Sequence, residues 1–597
     1  VTTSTAAGIA WDLGDLYAGV DDPALGRDLD ANLRDAEAFG QKYRGKINVL
    51  GGPTADVLLA AVVELEALYE RMAKPAVFAG LLHAAKTDDP RHGALVARTR
   101  EAATAANQHL LFFDLEWIAV EDAAAARLIA DPKLARYRHW LEEKRVWKKH
   151  YRTEPEEKIL EQKAMTGRSA FTRLYEESLS AIRFPYEHGG TAEPASLQRL
   201  LAKLEDPDRS VRQAAAKALT AGMKDNARLL TFIFNTLVLD HRTDFTLRGF
   251  DDPMAPRNLE NEIRPEVVTA LLDATERYHG TVARYYRLKR RLLGLDQLFD
   301  YDRYAPIRQE MPTCDWATAR AIVQESYDAF SPEAGAVVCE FFDKNWIDAD
   351  PRPGKRSGAF SAGAVPGVHP YILVNWMDRV RDVSTLAHEL GHGVHQYLAR
   401  PVGYFQFGTP LTTAETASVF GEMLTFDRLL QRYPDPAVKL ALLCRTIEDA
   451  FATVFRQVVL TRFEQRLHAL RHEEGEQTPE RLNAVWLEVN RPMFGDSVTL
   501  TDDYGWWWLY IGHFVRSPFY CYAYAFGQLL VLALVQKYRQ EGAAFVPRYL
   551  GLLSAGGSAA PHELLAKLGV DVNDPAFWEL GLKLLDGMVT EAEQLAG

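Results

Sequence analysis

Cysteine is scarce in this chain: Cys314, Cys339, Cys444 and Cys521 are all there is among 597 residues, and no two form a Cys-x-x-Cys pair. Such scatter fits reduced, buried thiols better than a disulfide framework. Long apolar runs are missing too. The most apolar stretch, Leu529 to Val535, falls far short of the eighteen or so residues that span a bilayer. No basic run or arginine-rich arm offsets a formal net charge of -13, which argues against a nucleic-acid surface. The first residues, Val-Thr-Thr-Ser-Thr-Ala-Ala-Gly, lack the positive start and apolar core of a signal peptide. A cytoplasmic protein with neither membrane nor nucleic-acid partners is the expectation.

What is present is an ordinary globular composition, 47% hydrophobic and 25% charged, in a chain long enough for two or more structural units. From Ala24 onward the apolar spacing is helical, with Leu25, Leu29, Leu33 and Ala36 three or four apart. Segments near 54–73, 75–87, 91–127, 133–150, 154–162 and 170–182 continue the habit. Proline and two glycines in Phe184-Pro-Tyr-Glu-His-Gly-Gly-Thr191 break it, and the main domain boundary is expected there. The division is residues 1–185, an N-terminal helical domain, and residues 195–597. Asp206 to Leu219 has the look of one HEAT-type helix, but no second copy follows at a fixed period, so a lone amphipathic helix is expected. Residues 258–345 again read as helical. Between Arg352 and Asn375 the texture changes: a loop at 352–358, a short extended piece at 359–363, and a β-branched, aromatic strand at 369–375. The fold class is therefore mainly α with one small sheet.

That sheet immediately precedes His388-Glu389-Leu-Gly-His392. On a helix, histidines four apart project from one face about one turn from each other. Two imidazole nitrogens so placed can reach one Zn²⁺ at about 2.0–2.1 Å each. Glu389, one step round, is poorly placed to ligate and well placed to take a proton from water held there. His395 would complete a row, yet seven residues span about 10 Å of helix, too far for a shared ion. The longer metzincin signature fails as well, since it wants glycine where His395 stands and histidine where Leu398 stands. His395 is then a supporting residue packed near the ligands.

A catalytic zinc needs a third protein ligand and an open position. Glu415 is the candidate, following a loop with Gly403, Gly408 and Pro410 and near a helix expected to open at Thr412. Thr412-x-x-Glu415 is equally a capping box, with the glutamate bound to the cap's own N–H. Glu422, seven residues on, could accept the second N–H of a ligand histidine or be a plain surface glutamate. Further on, His513, Tyr520, Tyr522 and Tyr524 lie in a dense aromatic run after Trp506, Trp507 and Trp508. The tryptophans read as core. His513 and the tyrosines read either as core or as donors to an oxyanion, Tyr520 and Tyr524 being one helical turn apart.

Three stretches now stand in one order: His388-Glu-Leu-Gly-His-Gly-Val-His395, Ala414-Glu-Thr-Ala-Ser-Val-Phe-Gly-Glu422 and His513-Phe-x-x-x-Pro-Phe-Tyr-x-Tyr-x-Tyr524. Together they resemble the oligoendopeptidase F branch of the thimet-oligopeptidase-like zinc metallopeptidases, which are zincins. Trp11-Asp-Leu, Gly354-Lys-Arg-Ser-Gly-Ala-Phe360 and Pro370-Tyr-Ile-Leu-Val-Asn375 extend the resemblance over essentially the whole chain. It implies two largely helical halves around a deep channel, the catalytic one being residues 195–597, and one Zn²⁺ per chain held by His388, His392 and Glu415. It also implies Glu389 as general base, with His513, Tyr520 and Tyr524 holding the substrate carbonyl. Short peptides are the implied substrates, and the chain is expected to be a monomer or homodimer. Tyr371 on the strand, Gly363 in the loop before it and Tyr522 are the candidate substrate-binding residues, with the strand at 369–375 pairing to an extended peptide. Gly421 and Thr416-Ala417 depart from the usual form of the Glu415 segment. The alternatives are a helical peptide-binding scaffold with a structural metal, for which a base at Glu389 has no use, and a zinc hydrolase of a non-peptide amide.

Overall fold

Helices dominate the structure, a computed structural model that describes residues 4–307, 311–409 and 411–597, save the side chains of residues 154, 411 and 412. Pro410 and the Thr412 side chain, on which the expected loop and capping box partly rest, lie outside the described residues. By contact density the chain divides into two compact units. The first is built from residues 1–148, 312–432 and 537–571, the second from 149–311, 433–536 and 572–597. The boundary expected near 185–195 thus falls inside the second unit.

At that place the expected break is a β-hairpin. Strand β1 (Phe184–His188) pairs antiparallel with β2 (Thr191–Ala195) across a two-residue turn. Gly189 and Gly190 have φ of +59° and +76°, the pair of positive values that a type I′ turn requires. Beside it, the expected lone helix after Asp206 runs on from Arg209 to Leu247. Its inner face, with Phe234 at its centre, joins Phe463, Trp486, Trp507, Trp508 and Phe514 in the core of the second unit. Trp507 donates to Thr220 Oγ1 and Trp508 to Asn483 Oδ1, so both buried indoles are satisfied.

In the first unit, four N-terminal helices, Pro23–Tyr43, Ala55–Ala85, Pro90–Gln108 and Leu111–Ala119, enclose a core around Phe39, Phe113, Trp117 and Trp140. A second core ties Trp11, Tyr17 and Phe78 to Tyr371 and Leu373 of the small sheet. That sheet has three strands, β3 (Ile347–Asp348), β4 (Phe360–Ala362) and β5 (Tyr371–Leu373), in the order β3-β5-β4. β5 pairs parallel with β3 and antiparallel with β4, so both its edges are filled. Cys314, Cys444 and Cys521 are buried and Cys339 is partly exposed, none in a disulfide. Among the described residues no single helix is long and apolar enough to cross a membrane.

Candidate metal centre

The helix Val380–Ala399 carries His388, Glu389, His392 and His395. Asp382 starts it by accepting the backbone N–H groups of Met377 and Arg379 at 2.9 and 3.1 Å, which satisfies donors that a helix start leaves open. Helical spacing brings the His388 and His392 rings to 4.9 Å between centroids. Glu415 meets them from a turn. A single helical turn, Leu411–Ala414, ends before it, and a new helix, Ser418–Arg432, begins after it. The expected continuous helix from Thr412 through Glu422 is therefore broken at Glu415, which leaves that side chain free to turn toward the histidines.

Glu415 Oε2 lies 3.3 Å from His388 Nε2 and 3.4 Å from His392 Nε2, and the three ligand atoms fall within 4.8 Å of one another. Donors each about 2.0–2.1 Å from one tetrahedral ion stand about 3.3–3.4 Å apart, so this set fits a divalent metal. His388 is oriented from behind. Its Nδ1 donates to Glu422 Oε1 at 2.5 Å, which turns Nε2 toward Glu415. Glu415 is oriented in the same way by Ser418 Oγ, which donates to Oε2 at 2.7 Å.

The electrostatics describe a cation site. Burial pulls the His388 imidazole down, but the Glu422 hydrogen bond and the Glu422, Glu415 and Glu389 charges outweigh it and push it up to about 9. Burial would raise Glu415, yet the hydrogen bond and charge of His392, with Ser418 and His388, bring it down to about 2. Glu389, only 7% exposed, is raised by burial against the opposing pull of both histidines. Three carboxylates thus share two imidazoles. His395 is buried one turn on, and burial with the His392 charge lowers it to about 4, so it is neutral. It lines the cavity beside the site without joining the ligand trio.

Gly391 explains how the Glu415 turn comes so close. A Cβ there would stand 2.3 Å from the Ala417 carbonyl oxygen and 2.6 Å from the Ser418 Cα, both backbone atoms that cannot swing aside. Gly421 answers it from the other helix, where a Cβ would meet the Ala387 carbonyl oxygen at 2.9 Å and crowd the Tyr327 hydroxyl. The departure at Gly421 is thus a condition of close packing. Gly391→Ala is expected to cost about 3 kcal/mol of stability, the upper end for overpacking, because backbone must move. It should also weaken metal binding, since the shift carries Glu415 away from the histidines. Urea unfolding with and without bound metal checks both; unchanged metal affinity would show that the turn tolerates displacement. Neither Gly391 nor Ser418 was singled out as positioning from sequence. A glycine inside a helix was the available signal.

A cavity of about 390 Å³ opens beside His388, Glu389 and His392. Phe360 and Ser361 of β4, Gln396, Phe407 and Thr409 line it together with His388, Glu389, His392 and His395. Gly363 borders this wall: a Cβ on it would reach Phe407 at 2.9 Å and Gln396 at 3.4 Å. Tyr371, expected to bind substrate, does not reach it. Its side chain is fully buried, 6.2 Å and edge-on from the Trp11 ring. Nor can β5 accept a peptide strand, because it is the central strand; the edge beside the cavity belongs to β4.

The other candidates lie in the second unit. His513 opens the short helix His513–Arg516, and Tyr524 lies in the helix Cys521–Glu541. Tyr524 Oη is 3.4 Å from His513 Nε2, and the Tyr520 and Tyr524 rings meet edge-on at 5.0 Å. Burial, then the Arg456 and Arg516 charges, lower His513, keeping it neutral. Burial and the neighbouring Tyr520 push Tyr524 up to about 12, so its hydroxyl keeps its proton. These are donors of the kind a developing oxyanion needs. Tyr522 is not among them. It is fully buried, its hydroxyl donating to Asn258 Oδ1 at 2.7 Å and accepting from Asn261 Nδ2 at 3.0 Å. The expected substrate contact at Tyr522 is a structural residue.

Comparison with known proteins bears on the whole chain. The family model described as Peptidase family M3 matches residues 202–584, and one described as Oligopeptidase F matches residues 116–184. Oligopeptidase PepF of Bacillus subtilis is 27% identical over 592 residues, covering 98% of this chain and 87% of its own. A crystal structure of a candidate peptidase from Chlamydophila abortus superposes with a TM-score of 0.89 at 26% identity, covering 98% of each chain. The oligoendopeptidase F of Enterococcus faecium has the same fold, with a TM-score of 0.69 at 23% identity over 96% of this chain and 98% of its own.

Proposed function

The chain belongs to peptidase family M3, a metallopeptidase hydrolysing peptide bonds, and from that premise we propose a zinc-dependent endopeptidase of short, unstructured oligopeptides. The observation that carries the zinc reading is the 3.3 and 3.4 Å spacing of Glu415 from His388 and His392, which matches a tetrahedral donor set. A divalent ion held there supplies Lewis acidity, polarising the scissile carbonyl and making nearby water easier to deprotonate.

The residues of the chain do the rest. Glu389 takes a proton from the attacking water and passes it to the leaving amine. Glu422 and Ser418 hold His388 and Glu415 in their ligating orientations. His513 and the hydroxyls of Tyr520 and Tyr524 donate to the carbonyl oxygen as its charge develops. An extended peptide adds to the β4 edge through main-chain hydrogen bonds, with Gly363 leaving room beside it, so register is fixed with little demand on side chains. A substrate channel enclosed by two helical halves would admit such a peptide and refuse a folded protein. In linear sequence we keep residues 1–185 and 195–597 as two domains of descent, which the compact units cut across. A cytoplasmic location and a monomer or homodimer complete the proposal.

The test is a quenched peptide of about eight to twelve residues, long enough to span an extended site at about 3.3 Å per residue. Cleavage that stops with a chelator and returns with zinc is the expected result, while intact folded proteins survive. Binding of the peptide without cleavage would favour the scaffold reading. Efficient digestion of folded proteins would remove the enclosed channel.

A further inference from the structure

The turn before Tyr520 has an unusual backbone. Phe519 has φ of +56°, the left-handed region that a bulky residue seldom occupies. Its ring is fully buried, 4.7 Å from His468 and 6.0 Å from His241. Two side chains grip the main chain here. Arg257 Nε donates to the Pro518 carbonyl at 3.3 Å, and its guanidinium lies 5.5 Å from the Tyr520 ring centroid. From the helix Phe455–Glu473, Glu464 Oε1 accepts the Phe519 N–H at 2.8 Å.

Glu464 is 1% exposed, and its Oε2 is buried without a hydrogen-bond partner among the described residues. A carboxyl in that position is costly to bury, and an apolar residue would serve packing better. What the carboxyl adds is its bond to the turn. We propose that Glu464 is a positioning residue for Tyr520 and Tyr524: by fixing the Phe519 N–H it holds the left-handed turn from which both tyrosines are set.

The geometry downstream shows what is at stake. Tyr522, between them, is anchored on the buried side by Asn258 and Asn261, so the helix start cannot rotate freely. Release of the Phe519 N–H therefore displaces Tyr520 relative to Tyr524 and not both together. An error of about 1 Å in such a constellation can cost about a hundredfold in rate. Burial pushes the Glu464 carboxyl up to about 8, against the Phe519 N–H and the Arg257 charge. It is uncharged at neutral pH, and glutamine is its isosteric match. The role rests on the reading above that these tyrosines face the substrate carbonyl.

The experiment uses the full, zinc-loaded chain and the quenched peptide. Glu464→Leu is expected to lower kcat by about 10- to 100-fold, with KM within about threefold and zinc content unchanged. Glu464→Gln, which keeps the acceptor, should stay within about threefold of wild type. Combined with Tyr520→Phe and Tyr524→Phe, Glu464→Leu should add less than about threefold, because the groups it positions are gone. Should the leucine variant not fold, Glu464→Asp, too short to reach Phe519, stands in for it with the same expected loss. Wild-type kcat in Glu464→Leu or in Glu464→Asp, or an equal loss with and without the tyrosine hydroxyls, overturns the positioning role alone. Wild-type kcat in Tyr520→Phe and Tyr524→Phe themselves overturns the functional reading, and this role with it.

Discussion

Glu389→Gln is expected to remove nearly all turnover while leaving the metal bound: kcat should fall by about 10²–10⁴-fold, the range for loss of a general base. The argument is geometric. Glu389 is buried beside His388 on the same helix, but its carboxylate is not one of the three ligand atoms grouped within 4.8 Å. Glutamine fills the same volume and cannot take a proton from water. Because the ligand trio is untouched, zinc measured by elemental analysis should remain at one per chain. Activity near wild type would remove Glu389 from the proton path. Loss of zinc would make it a ligand instead.

Glu415→Ala tests the other half of the site and is expected to strip the metal. Without Oε2 two imidazoles remain, and the arrangement that places them 3.3 and 3.4 Å from a third donor has no third donor. The loss of affinity should exceed the tenfold to hundredfold, or so, that removal of a supporting group costs. Dialysis against a weak chelator, followed by zinc analysis, reads it directly. Fold should survive, since Glu415 sits in a turn whose other ties remain: the Thr416 carbonyl accepts the Tyr549 hydroxyl at 2.9 Å. Full zinc occupancy would reduce Glu415 to a partner of Ser418 within that turn.

How much of this was legible beforehand follows from what each feature depends on. His388, Glu389 and His392 were legible because helical period alone converts their spacing into geometry. The same rule puts Tyr520 and Tyr524 one turn apart, but Tyr522 was expected at the substrate, and only the structure shows it buried against Asn258 and Asn261. Glu415 was legible through resemblance, but its turn was not; local composition reads as one helix opening at Thr412. Gly391 acquires meaning only from Ala417, twenty-odd residues away in sequence, so no window on the sequence reveals it. The strand near Tyr371 was legible as a strand. Its central place was not, because that depends on which partners flank it. The hairpin at 184–195 was hidden by Pro185 and Pro194, which edge strands tolerate and strand patterns disfavour. The Gly-Gly pair was its one clear signal. The composition of the two units lay beyond reach, since each is made of stretches far apart in the chain.

That last feature bears on how the protein is made. The unit that carries His388, His392 and Glu415 needs residues 1–148, 312–432 and 537–571, and Tyr549 from the last stretch ties down the turn next to Glu415. Vectorial folding, in which an N-terminal domain matures while synthesis continues, cannot complete this site early. A ribosome must deliver the stretch through Tyr549 before the histidines, the glutamate and their buttress are in place together. A chain that stops before residue 549 therefore lacks the tie beside Glu415, and the site is expected to be complete only once that stretch has been made.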